Sequence, residues 1–406
     1  MKKVQYLELE GKSAGFKFLA VLFLGMIALG AWSFFHLEHT GHSATGMNNQ
    51  IVWGLPHVFA ILLIVAASGA LNLASIGTVF NKGMYKPLAR ISAWLSIALL
   101  LGGVITLVID LGNPFHVEYM IRSFNLKSIF AWNIVLYPGF FFFAGVYLWT
   151  MMDTSVKNHY RKAGTAAFIW RIVLTTGTGS IFAFIVGRNT YDAAILAPTF
   201  VITSFSVGLA FFLITLMLTY KYTNRPLGCA LLKRLKNLLA VFIAATFYFV
   251  LVYHLTNGYM TEHHALEKWI LGGTSIHTKL FWFGQIGIGT VIPLALLLLP
   301  RIGECNTTIM AASILVIIGT FCQFFVIVIG GQAFPQQIIG GDWIPVQSSF
   351  GDAAVYHAYS PSVWELMLGL GGLGITCFMV LYGFKVLRFV PASLADKDVD
   401  PHAKSA

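Results

Sequence analysis

Apolar residues along this chain gather in long, nearly unbroken runs at 16–35, 52–79, 89–109, 128–151, 166–186, 194–219, 235–256, 279–300, 307–330 and 363–388. Each run is long enough to cross about 30 Å of hydrocarbon, and a helix is the only open-ended structure that satisfies its own backbone there. The pattern predicts an all-α integral membrane protein with ten transmembrane helices. The first run follows a polar stretch carrying Lys2, Lys3 and Lys12 and has no small-residue cleavage site, so it reads as a retained helix.

Composition agrees. Of 406 residues, 57% are apolar and 10% charged, against about a quarter charged in a soluble domain. A net charge of +10 would point to nucleic acid in a soluble protein. Here it reports topology, and no nucleic-acid partner is expected. All but five of the 26 Lys and Arg residues fall on the side that holds the N-terminus; the exceptions are Arg122, Lys127, Arg188, Lys268 and Lys279. The bias predicts both termini in the cytoplasm, in a bacterial or archaeal inner membrane, with some contact to anionic lipid. Histidines crowd the other, outer side: His36, His39, His42, His116, His263, His264, His277 and His357. Residues 330–362 carry no Lys or Arg but include Trp343, Tyr356, Tyr359, Asp342 and Asp352. That loop reads equally as a docking surface and as a solvated connection with interfacial aromatics. The end of the sequence, 391–406, reads as a disordered cytoplasmic tail.

A weak internal repeat organises the spans. VIDLGNPF (108–115) resembles VYHLTNGY (252–259), and GLPHVFAIL (54–62) resembles LAPTFVITS (196–204). Asp110 thereby aligns with His254, Asn113 with Asn257 and Pro56 with Pro198. The repeat predicts two four-helix bundles, spans two to five (52–186) and six to nine (194–330), with the first and tenth spans added. All lie in one membrane domain, 1–390. Parallel repeats also occur in secondary transporters, which keeps transport open as a function.

Four cysteines, Cys229, Cys305, Cys322 and Cys377, form neither CxxC nor CxxCH. That excludes a covalently attached haem and argues against a Cys-ligated iron–sulfur cluster in this protein. Redox chemistry would therefore need a diffusible cofactor or a partner's metal.

Ionisable groups inside spans are costly and raise functional hypotheses. His57 lies in the second span, and Asn49, Trp53 and His57 share one face at i, i+4, i+8 spacing if the helix begins by Asn49; Asn48 and Gln50 sit beside them. An aromatic ring, an amide and an imidazole suit a quinone: a stacking surface, a carbonyl partner and a proton acceptor. The competing reading is a histidine bonded to a neighbouring helix. Asp110, within DLGNP, reads either as a helix-stop residue or as a carboxylate serving His57. His57 and His254 are also conceivable ligands of a b-type haem. Ser68, Asn72, Asn133, Tyr137, Ser204, Tyr248 and Gln323 read mostly as interhelical contacts, and Arg171 as a residue snorkelling to the cytoplasmic surface. Glu365 is the other acidic residue at a span edge worth testing.

The stretches NNQIVWGLPHVFAILLIVAASGALNLASI, VIDLGNPFHVEYMI and SIFAWNIVLY resemble the NrfD/polysulfide-reductase family of membrane subunits, especially the ten-span branch found in sulfite-reductase-associated Dsr membrane complexes. The resemblance covers most of the sequence and implies a diffusible menaquinone or other quinone near the outer face, with no haem or metal in this subunit. It assigns quinone contacts to His57 and to Asn49 or Asn48, the acidic corner residue to Asp110, and the quinone-site tyrosine to Tyr137 or Tyr191. Many relatives carry Arg where this protein has Asn113. The implied partners are a periplasmic ferredoxin-like iron–sulfur subunit, a multihaem c-type cytochrome, a b-type cytochrome membrane subunit and a cytoplasmic iron–sulfur subunit. The expected function is thus quinol-linked electron transfer in dissimilatory sulfur metabolism, with transport and a b-type cytochrome as alternatives.

Overall fold

A computed structural model describes residues 4–300, 302–335 and 358–399. Ten helices in it are long and apolar enough to cross a membrane. They are α1 (Ala14–Thr40), α2 (Leu55–Thr78), α3 (Gly83–Ile109), α4 (Ile129–Met152), α5 (Lys157–Ala183), α6 (Leu196–Tyr222), α7 (Cys229–Tyr259), α8 (Ile276–Leu298), α9 (Asn306–Ala333) and α10 (Val363–Val386). The protein is therefore an all-α, multi-pass integral membrane protein, as the apolar runs predict. Several helices extend past their runs because polar end turns lie beyond the hydrocarbon: α5 begins at Lys157, nine residues before its run.

Contacts close two rings. α2 packs on α3, α3 on α4, α4 on α5 and α5 back on α2; α6, α7, α8 and α9 are joined in the same cyclic way. The rings meet chiefly where α2 crosses α6. α1 packs on α10, and α10 lies against α2 and α3. α2 is the hub, 94% of its apolar window being buried, against 11% for the lipid-facing α1. Close crossing needs small residues, as elsewhere in membranes. A side chain at Gly69 would overlap the Ser204 carbonyl, and one at Gly208 would overlap the backbone of Gly69 and Ala70.

Two sequence expectations fail here. Arg171 sits midway along α5, 1% exposed, and does not snorkel. Its Nη2 donates to Asn72 Oδ1 at 2.9 Å and its Nη1 to the Ser68 carbonyl at 3.4 Å, while its guanidinium carbon lies 4.8 Å from the Phe168 ring centre. Reaching the surface would have cost these bonds in a helix packed on three sides. The tail expectation fails for residues 391–399. Val390–Pro391 pairs antiparallel with Tyr6–Leu7, Leu394 and Val399 are buried, and Asp396 Oδ1 accepts from Ala230 N at 3.0 Å. That last bond supplies an acceptor to the first turn of α7, where backbone donors have no partner within the helix. The strand pair also puts residues 6–7 and 390–391 on one face.

The α2–α6 crossing carries a prediction. Gly208→Leu should lower stability by about 3 kcal/mol, the upper end of overpacking costs, and broaden the size-exclusion peak in detergent. Gly145→Leu, at a position with no neighbour within 4 Å, should behave as wild type.

Candidate functional site

The site lies at the face opposite the strand pair of residues 6–7 and 390–391, where α2 starts and α3 stops. Pro56, in the first turn of α2, forces an abrupt start; its missing N–H is no loss there. α3 ends at Asp110, its C-cap, and Gly112 turns the backbone with φ +78°. Antiparallel packing of α2 on α3 thus brings His57 to Asp110. His57 Nδ1 is 2.6 Å from Asp110 Oδ2, with side chains 14% and 1% exposed. The contact is an ion pair by distance but is not aligned as a hydrogen bond, and among the described residues no donor reaches either Asp110 oxygen. A buried carboxylate in that state is unusual, because each unpaired polar atom carries a desolvation penalty.

Residues 49–53 are not helical: α2 starts at Leu55, capped by Gly54. The expected shared face of Asn49, Trp53 and His57 is therefore wrong, because Pro56 fixes the helix start. Asn48 and Asn49 are exposed ahead of the helix. Asn48 Oδ1 accepts from Gln50 N at 2.9 Å and Ile51 N at 2.7 Å, an Asx turn. Trp53 nonetheless comes within 6.2 Å of His57, ring centre to ring centre, in a cluster with Phe130, Phe182 and Tyr191. Tyr191 supports Trp53 from the core side, and its hydroxyl donates to the Val328 carbonyl at 2.6 Å. Burial holds its pKa above the ordinary phenol value, so it stays a neutral donor. Tyr137 stands deeper, with its hydroxyl on Thr178.

Four residues that sequence reasoning did not connect to this site hold it in place. Gln332, at the end of α9, accepts from Val52 N and Trp53 N at 2.9 and 3.0 Å and donates to the Trp53 carbonyl at 3.0 Å. Arg188 donates to the carbonyls of Gln332 and Gln50, both at 3.2 Å. Burial lowers its pKa, and Tyr191 opposes that shift. Tyr359 accepts from Leu55 N at 2.7 Å and donates to Glu365 Oε1 at 2.5 Å. Burial, then the Glu365 carboxylate, raises the Tyr359 pKa. Glu365 is fully buried at the start of α10 and also accepts from Gly46 N and Ser362 N. A capping box with Ser362 was readable in the sequence as S-x-x-E. Gln332 and Arg188 gave no such local signal, since their partners are backbone atoms from distant segments.

Among the described residues no group of three or more His, Cys, Asp or Glu side chains could hold a metal ion. His254, the conceivable partner of His57 in haem ligation, instead pairs with Glu267 in the other ring at 2.8 Å. Asp342, Trp343, Asp352, Tyr356 and His357 of the expected docking loop lie outside the described residues.

Fold and site together define a polytopic helical membrane protein with a buried His–carboxylate pair at one face. Residues 43–336 match the family model described as polysulphide reductase, NrfD, and the chain belongs to that family. The matched segment runs from just after α1 to just after α9, the two rings without the added helices. The sequence is 28% identical to the Hdr-like menaquinol oxidoreductase integral membrane subunit of Archaeoglobus fulgidus, over 98% of this protein and 99% of that one. It is 26% identical to a putative dimethyl sulfoxide reductase membrane subunit of Halobacterium salinarum, over 92% and 90%. A polysulfide reductase chain of Wolinella succinogenes is 22% identical, over 70% of this protein and 96% of its own length.

Gln332→Ala should leave the Val52 and Trp53 N–H groups without an acceptor and cost about 1 kcal/mol, the lower end for a lost hydrogen bond, because both residues are partly exposed. Thermal unfolding followed by tryptophan fluorescence reads both the loss and the release of Trp53.

Proposed function

We propose that the protein is the quinone-interacting membrane subunit of a respiratory electron-transfer complex. In finer terms, it exchanges electrons between a menaquinone pool and an iron–sulfur subunit docked over the His57 face, in dissimilatory sulfur metabolism. One observation carries this reading: the His57–Asp110 pair, bordered by the Trp53 ring, lies inside the segment this protein shares with the polysulphide reductase family. The relative named as a menaquinol oxidoreductase subunit, which aligns along almost the whole sequence, supports the choice of quinone.

The residues present fit a quinone head group. Trp53 supplies a half-buried aromatic surface, and Asp110 keeps buried oxygens without donors. Among the described residues no hydrogen bond reaches Nε2 of His57. A bound quinol supplies two electrons and two protons. Asp110 faces Nδ1 of His57, which fixes the imidazole orientation and balances the positive charge that arrives with a proton. His57 then takes that proton at Nε2, within reach of the site's open side. The second proton passes through the imidazole to Asp110, whose buried oxygens have no other donor among the described residues. Electrons leave by proximity to a partner's metal centre.

The charge bias along the sequence supports placing the His57 face outside and both termini in the cytoplasm. An iron–sulfur partner over the site is then periplasmic. The complex we envisage also holds a multihaem c-type cytochrome, a b-type cytochrome membrane subunit and a cytoplasmic iron–sulfur subunit. The names of the relatives, each a membrane subunit or chain of a larger reductase or oxidoreductase, support multi-subunit assembly. A transporter would instead be expected to set its charged site at the midplane between broken helices.

His57→Ala in the assembled complex should cut quinol-dependent turnover by about 10²-fold, the lower range for a lost acid–base group. Co-purifying subunits should remain unchanged. Turnover at the wild-type rate would overturn the assignment. Asp110→Asn should lower turnover too, because it removes the carboxylate that steadies the imidazolium.

A further inference from the structure

The internal repeat aligns Thr199 with His57 and His254 with Asp110. Thr199 and His254 line one cavity in the second ring, together with Tyr253, Gln285 and Gln323. That cavity is the counterpart, in the second half of the protein, of the His57 site. Its chemistry is different. Its free space is about 30 Å³, above the roughly 10–15 Å³ one water needs and too small for an aromatic ring.

Its polar walls are set up for water. Gln323 is 3% exposed, and its Nε2 has no hydrogen-bond partner among the described residues. His254 Nδ1 is 2.8 Å from Glu267 Oε2, and Glu267 Oε1 accepts from Asn257 Nδ2 at 3.1 Å. Glu267 is 6% exposed. A second cavity of about 20 Å³ shares Val250, Gln285 and Gln323 with the first and continues past Thr290 and Thr320 to Ser206 and Thr246. Thr246 precedes His254 by eight residues on α7, so the polar column reaches roughly 12 Å deeper along the span. Both cavities lie where helix geometry changes: Leu280–Val291 and Val326–Gly330 are π-helical. Such segments interrupt the regular backbone ladder and are frequent at functional sites.

We propose that the second ring holds a hydrated proton site, in which His254 and Glu267 share one proton and water in the column exchanges it. With the proton bound the pair is net neutral, the form an apolar wall favours. Releasing it leaves one buried negative charge, and cavity water lowers that cost. Other titratable groups on the surrounding elements include Tyr191, Asp192, Tyr253, Tyr259, Glu262, His263, His264, Lys268, His277, Lys279, Cys322 and Arg188. Of these, Tyr253 touches the pair, its ring centre 4.9 Å from that of His254. The proposal does not depend on a quinone at His57.

Infrared difference spectroscopy of the full protein in lipid, stepped in pH and exchanged into D₂O, tests it. Wild type should show a carboxyl band that titrates and shifts in D₂O. Glu267→Gln should abolish it, and Glu267→Asp should move it, which separates the assignment from misfolding. Gln323→Leu, which removes one of the two amides shared by the two cavities, should slow the D₂O shift at least about tenfold while keeping the band. His57→Ala should leave band and exchange unchanged, so loss of the quinone reading would not remove this one. A band that survives Glu267→Gln, or a wild-type band that never exchanges, would overturn the proposal.

Discussion

Hydrocarbon offers no hydrogen bonds, so a polar group carried into the membrane is costly unless it finds a partner inside the fold. The constraint explains where the polar residues stand. Gln332, Arg188, Tyr359 and Glu365 answer the free backbone groups of residues 46–55, the non-helical approach to α2. That approach can remain irregular at the membrane edge because α9 and α10 supply donors and acceptors to it. Trp53 is consequently placed by long-range contacts, while His57 is held in the first turn of α2. Arg171 obeys the same rule in the middle of the span, where Asn72, the Ser68 carbonyl and an aromatic face replace water.

The two rings use the same architecture differently. In the first, α2 is nearly all buried, and the His57–Asp110 pair stands at its start with polar atoms left unanswered. In the second, α7 and α8 bury much less, two π-helical segments open the packing, and polar side chains line small cavities. The repeat expected from the sequence sets Thr199, which carries no ionisable group, against His57, and sets Asp110 against His254, which meets a carboxylate from the segment after α7. In the proposed account, the first ring presents a proton-accepting face to a bound molecule, and the second offers room for water.

Much of this was legible from the sequence, and the reason is physical. Spanning runs are fixed by bilayer thickness, so ten helices follow from length and apolarity alone. His57 and Asp110 stood out because ionisable residues near spans are rare. What was not legible depended on packing between distant segments. Arg171 stays buried because Asn72, on α2 and 99 positions earlier in the sequence, reaches it. Glu267 sits in a polar connecting stretch where an acidic residue is ordinary, and only the fold brings it to His254. The helical spacing of Asn49, Trp53 and His57 misled because Pro56 starts the helix later, although the Trp53 and His57 rings still meet. The ordered residues 391–399 carry few apolar positions, yet Leu394 and Val399 are enough to dock them against α7 and the N-terminal strand.

Everything proposed for the His57 face rests on a quinone binding at the start of α2. The direct measurement is photoaffinity labelling of the protein in its complex with an azido-quinone, mapped by mass spectrometry and competed with excess menaquinol analogue. Competed label on the peptide spanning Trp53 and His57, lost in His57→Ala, is the expected result. Competed label confined to α6–α9, or label that no quinol displaces, would contradict it.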